Sequence, residues 1–216
     1  MNKQKEFETV KTGTTTVGIK TEHGVVLAAD KRTTYSGSMI VRQNSDKITL
    51  VSDNMAITHS GQVSTIQLVK RLLKARMRLR GLEQGRELSV HEAARLLANI
   101  NFSNARQPRP EISHWLLGGY DGEPGLYDVQ IDGAVIEIKG QQPFTASGSG
   151  SIIAYGLLED AYEEDLSMEK AADIAERAVR SAMKRDTASG GGIDIVMIDE
   201  DGARYTSTKT IKETLE

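Results

Sequence analysis

Lys11-Thr12-Gly13-Thr14-Thr15-Thr16-Val17-Gly18-Ile19 is the stretch on which the reading of this chain turns. Threonine, valine and isoleucine favour extended backbone, so the run from Thr14 reads as a strand entering a sheet. The Gly13-Thr14 bond admits a second reading. Were it broken, Thr14 would carry a hydroxyl nucleophile and a free α-amine on one residue, and such an amine can activate the hydroxyl. The preceding residues, 1–13, are polar and charged, and fit either a tail or a segment that is removed.

Composition narrows the field. A chain of 216 residues with ordinary apolar content suits one well-buried domain. Its formal charge of −3, with acidic and basic residues nearly balanced, leaves no footprint for nucleic acid or an anionic membrane. No segment approaches the roughly 20 apolar residues of a membrane span, and residues 1–13 lack a signal-peptide core. The chain therefore reads as cytoplasmic. Cysteine is absent, which excludes thiolate chemistry and disulfides. His23, His59, His91 and His114 are scattered without ligand spacing, so no metal or other cofactor is expected.

Outward from the opening stretch, residues 14–20 and 25–30 read as a hairpin about Glu22-His23-Gly24, followed by strands at 47–51 and 55–58. These strands are expected to make one sheet. Ile66, Val69, Leu72, Leu73, Ala75 and Met77 then mark a helical face, with Lys and Arg filling other positions from 70 to 80. Ser89-Val90-His91-Glu92 has capping-box spacing and opens a second helix to about residue 101. Strands at 113–120, 125–130 and 135–139 follow, then helices at about 149–164 and 167–184, then strands at 193–198 and 203–207. Blocks of strands alternating with helix pairs predict an α+β fold, a four-layer αββα sandwich of two antiparallel sheets flanked by helices.

Six markers carry a resemblance: Thr14-Thr15-Thr16-Val17-Gly18, Ala28-Ala29-Asp30-Lys31-Arg32, Asp46-Lys47-Ile48, Gly61, Gly148-Ser149-Gly150-Ser151 and Arg185-Asp186-Thr187-Ala188-Ser189-Gly190-Gly191. In this order and near this spacing, they resemble the proteasome β subunit family of N-terminal-nucleophile hydrolases, most of all the catalytic β subunits of archaeal 20S proteasomes. The resemblance runs from Thr14 to the C-terminus. It implies a propeptide, 1–13, removed by autocatalytic cleavage between Gly13 and Thr14, and a peptidase domain over 14–216. It implies Thr14 as nucleophile, Asp30 and Lys47 as a buried charged pair beside it, and Ser149, Asp186 and Ser189 as supports of the α-amine and hydroxyl. Gly61 would supply an oxyanion-hole N–H, and Thr34 would bond an extended substrate. Without the other markers, Asp30 and Lys47 would read as an ordinary strand-end salt bridge, and 148–151 as a weak phosphate cradle.

By position, Ser45, Thr49, His59 and Val63 would line the pocket for the residue before the scissile bond. Three of these are polar where archaeal members more often carry apolar side chains, so a less hydrophobic preference is expected, with pH dependence if His59 titrates near neutrality. The segment between Asp30 and Lys47 is one residue longer than in some members, which loosens assignments over 33–46. The resemblance further implies seven-membered β rings, outer rings of α subunits, an ATP-dependent unfoldase acting through them, and unfolded polypeptides as substrates. The readings set against it are a catalytically silent β subunit, the simpler bacterial two-ring protease, and an amidohydrolase for small amides.

Overall fold

The computed structural model describes residues 13–35, 37–108 and 110–210. The expected propeptide, 1–13, lies outside the described residues apart from Gly13, as do residues 211–216 of the expected domain.

β1 (Thr16–Lys20) and β2 (Val25–Asp30) form the expected hairpin. Thr21 closes its turn, its hydroxyl accepting from the N–H groups of His23 and Gly24 at 3.1 Å each. The hairpin is flanked by β10 (Phe144–Ser147) on one side and by β11 (Gly192–Asp199) with β12 (Gly202–Thr210) on the other. A second antiparallel sheet runs in chain order through β5 (Ile48–Ser52), β6 (Met55–Gly61), β7 (Ser113–Tyr120), β8 (Pro124–Val129) and β9 (Val135–Glu137). The expectation that the early strands make a single sheet is thus corrected. Both edges of the β1–β2 hairpin are taken by strands distant in sequence, and β6 pairs instead with β7.

Period-2 alternation gives each strand two apolar faces. Val17, Ile19, Val26, Ala28, Ile193 and Ile195 pack with α3 (Ser151–Ala161) and α4 (Met168–Met183). Met55, Ile57, Trp115 and Leu117 pack with α1 (Val63–Gln84) and α2 (Val90–Ala105). Between the sheets, Leu27, Ala29, Leu116, Leu126 and Val196 form the central layer. The result is the αββα sandwich.

Helix ends follow local chemistry. Ser89 caps α2, its hydroxyl accepting from Glu92 N–H at 3.2 Å while the Glu92 carboxylate accepts from Ser89 N–H at 2.8 Å, which confirms the capping box. α3 begins at Ser151 and ends at Ala161, shorter than expected at both ends. Gly148 adopts φ +91°, a left-handed turn that keeps Ser149 out of the helix. Two elements have no counterpart in the sequence reading: β10, and a small hairpin of β3 (Thr33–Tyr35) and β4 (Met39–Arg42) whose Tyr35, Met39, Ile40 and Val41 are exposed. Among the described residues no helix is long and apolar enough to cross a membrane.

Leu116 is fully buried between the sheets. Leu116→Ala is expected to lower unfolding free energy by about 2–5 kcal/mol, measured by chemical denaturation.

Candidate active site

The β1–β2 pairing continues past its last ladder residues, since Asp30 N–H donates to Thr15 O at 3.1 Å. That register sets the Asp30 side chain beside the backbone of Thr15. Its carboxylate accepts four hydrogen bonds: at Oδ1 from Thr15 N–H at 2.9 Å and Lys47 Nζ at 2.8 Å, and at Oδ2 from Gly190 N–H at 2.8 Å and Arg32 N–H at 3.0 Å. Asp30 is fully buried and Lys47 nearly so. Burial lowers the Lys47 pKa below its ordinary value, and Asp30 opposes that shift by charge and by direct hydrogen bonding.

Lys47 also reaches the junction itself. Its Nζ donates to the carbonyl oxygen of Gly13 at 3.3 Å, and Thr14 Oγ1 donates to the same oxygen at 2.5 Å. The Gly13 carbonyl oxygen therefore meets a hydroxyl and the Lys47 amine together. The backbone there has no spare room: a Cβ on Gly13 would stand 1.7 Å from the Ala188 Cβ, and one on Gly148 would stand 2.0 Å from Thr14 O.

On the amide side, Thr14 N–H donates to Ser149 Oγ at 3.2 Å, and Ser149 Oγ donates to Asp186 Oδ2 at 2.6 Å. Ser189 Oγ donates to the same Asp186 oxygen at 2.6 Å and lies 2.8 Å from Thr15 Oγ1. Thr14, Asp30, Lys47, Ser149, Asp186 and Ser189, which lie as far apart in sequence as residues 14 and 189, are thus joined by one hydrogen-bond network. Among the described residues no group of three or more His, Asp or Glu side chains is arranged to hold a metal ion.

A family model described as proteasome subunit matches residues 10–198. The chain belongs to the proteasome subunit family. It is 44% identical over 193 residues to "Proteasome subunit beta 2" of Aeropyrum pernix, covering 89% of this chain and 85% of that one. It is 37% identical over 213 residues to "Proteasome subunit beta" of Methanopyrus kandleri, covering 98% and 99% respectively. Identity to "Proteasome subunit beta 2" of Pyrococcus abyssi is 40% over 203 residues, or 94% and 95% of the two chains.

The remaining sequence candidates of this family member lie on β3, β5, β6, the start of α1 and the segment just before Lys47. Thr34, buried on β3, uses its side chain as well as its backbone position: its hydroxyl accepts from Gly13 N–H at 3.2 Å. Gly61 ends β6 at φ +128°, where a Cβ would stand 2.3 Å from Ile112 O. Thr49 lies half-buried on β5, Val63 opens α1 with its side chain half-exposed, and Ser45 Oγ accepts from Thr33 Oγ1 at 2.8 Å. His59 is buried on β6, with its ring edge-on to Trp115 at 5.8 Å and its Nε2 unpartnered. Burial first, and then the charges of Lys70 and Lys47, push its pKa down to about 3. The condition set for pH dependence at His59, a pKa near neutrality, is therefore not met: a desolvated imidazole flanked by cations stays neutral.

Sequence reading missed Thr15 and Gly190, which complete the bonding of Ser189 and Asp30. The threonine triplet and the glycine run were visible, but which member served the site depended on register.

His59 links stability to pH with a definite sign. It takes up a proton near pH 6.5 in the unfolded chain and only near 3 when folded, so its contribution is complete above 6.5 and declines as pH falls from there towards 3. His59→Leu is expected to remove about 1.4 kcal/mol per pH unit of that decline, read as the difference between wild-type and variant denaturation midpoints from pH 7.5 to 4.5.

Proposed function

We propose that this chain is a threonine-type endopeptidase subunit of a proteasome core particle, made active when its own Gly13-Thr14 bond is cut. The observation that carries the proposal is the convergence of Thr14 Oγ1 and Lys47 Nζ on the Gly13 carbonyl oxygen, in a buried site of a family member.

The chemistry needs no reactant beyond these residues and water. Thr14 Oγ bonds to the Gly13 carbonyl carbon as its proton passes to water, which later returns one to the departing nitrogen, and Lys47 stabilises the charge that develops on the carbonyl oxygen. The C–N bond to Thr14 then breaks, the nitrogen takes up a proton, and the acyl group rests on Oγ as an ester. Water hydrolyses that ester, releasing residues 1–13 and freeing the hydroxyl. The new α-amine, with an ordinary pKa of about 7.7–8.0, lies beside Ser149 and can accept the hydroxyl proton in later turnovers.

Peptide cleavage repeats these steps on a substrate carbonyl, with Gly61 N–H as the oxyanion donor. Thr34 bonds the extended substrate, and Ser45, Thr49, His59 and Val63 line the specificity pocket. A neutral His59 and the polar side chains of Ser45 and Thr49 support a preference less strictly apolar than Tyr or Leu, without attraction for acidic side chains. The subunit works in seven-membered β rings between rings of α subunits, fed with unfolded cytoplasmic polypeptides by an ATP-dependent unfoldase. The relatives' names, all proteasome β subunits, support the place in a proteasome core particle.

Intact mass of assembled wild type is expected to begin at Thr14. Thr14→Ala is expected to stay uncut and to lose peptidase activity by more than about a thousand-fold. An assembled wild type that retains Met1 and cleaves no peptide would instead make the subunit architectural. In peptide assays, comparable cleavage after Gln, Leu and Tyr is expected; near-exclusive cleavage after Tyr or Leu would refute the polar pocket.

A further inference from the structure

Behind Asp30 and Lys47 lies a second buried ion pair that the chemistry above does not use. Lys31 and Asp194 are both almost fully buried, and Lys31 Nζ donates to each Asp194 oxygen at 2.8 Å. Asp194 stands on β11 opposite Ala29 of β2, one residue before Asp30. A buried ion pair is a poor source of net stability, because desolvation offsets its Coulomb attraction. Its worth is better sought in what it holds in place.

Lys31 ties together three segments of the site. Its N–H is shared between the carbonyls of Gly190 at 2.9 Å and Gly192 at 3.1 Å, which fixes the loop whose Gly190 N–H bonds Asp30. Its carbonyl accepts from Ser45 N–H at 2.8 Å, two residues before Lys47. Its ammonium also lies 3.8 Å from the carboxylate of Asp46, the residue next to Lys47. Beyond Lys47, the Tyr205 hydroxyl donates to Ile48 O at 2.9 Å and completes the support of that strand.

We propose that Lys31, anchored on Asp194, is a positioning residue that sets the separation of Asp30 and Lys47 and so the rate of chemistry at Thr14. The inference rests on the reading of Thr14 as nucleophile. The Lys31 side chain bonds Asp194 and approaches Asp46, and its backbone bond to Ser45 survives substitution, so loss of the side chain should slow turnover and leave peptide binding alone. A displacement of about 1 Å in such a site costs on the order of a hundred-fold in rate.

The test uses assembled particles and a fluorogenic peptide. Lys31→Met alone would leave the Asp194 charge buried without a partner, so Lys31→Met is combined with Asp194→Leu, which removes both charges together. This double variant is expected to melt close to wild type yet lose about 10- to 100-fold in kcat, with KM changed less than about two-fold. Lys31→Arg keeps a cation on Asp194 and is expected to restore most of kcat. A stable double variant with wild-type kcat, or a loss confined to KM, would overturn the inference. Should the double variant not assemble, Asp194→Asn decides, since its amide oxygen still accepts from Lys31 Nζ while the charged anchor is lost: about a three-fold or greater loss of kcat at constant KM supports the inference, and unchanged kcat refutes it. An inactive wild type would count against the nucleophile reading instead.

Discussion

Four donors from four separate segments converge on the Asp30 carboxylate, and the site exists because they can all reach it. A carboxylate buried this completely is tolerated only when its lone pairs are occupied. Thr15 N–H, Arg32 N–H, Gly190 N–H and the Lys47 ammonium meet that demand. In doing so they bind the start of β1, the end of β2, the loop before β11 and the approach to β5 to one atom group. Any movement of one segment would leave a buried charge short of a partner.

The same constraint explains why the surrounding backbone is so close-packed. Gly13 lies against Ala188 and Gly148 against Thr14 O at distances no side chain would permit. Thr14 is thereby held with its hydroxyl on the carbonyl of the preceding residue and its N–H on Ser149. Placement of this kind contributes to rate by removing the freedom that reacting groups would otherwise lose. The depressed pKa of Lys47 belongs to the same arrangement, since burial disfavours its charge and Asp30 retains it.

Much of the architecture could be read locally. Ser89 and Glu92 announce their helix start because a capping box is a four-residue device. The near-continuous apolar runs within Val25–Asp30 and Gly192–Asp199 mark strands buried on both faces. β10 escaped notice because four residues behind a proline carry too little pattern, and its pairing with β1 supplies most of its reason to be extended. The β3–β4 hairpin is short and its apolar side chains are exposed, so burial gives no period to detect. The division of early strands between two sheets was not legible at all: it depends on β10 and β11 returning from more than a hundred residues away.

The sequence by itself determined the candidate junction at Gly13-Thr14, the family markers and the order of strand and helix blocks, since residue type, spacing and short-range periodicity are local properties. Local chemistry singled out Thr14, whereas Asp30, Lys47, Ser149, Asp186 and Ser189 were named only through resemblance. Tertiary structure alone decided that these side chains share one network, that Thr15 and Gly190 belong to it, and that His59 is neutral. The reason is physical: hydrogen bonding falls away within a few tenths of an ångström, and desolvation depends on everything packed around a group. Neither quantity is a property of the residue or its neighbours in the chain.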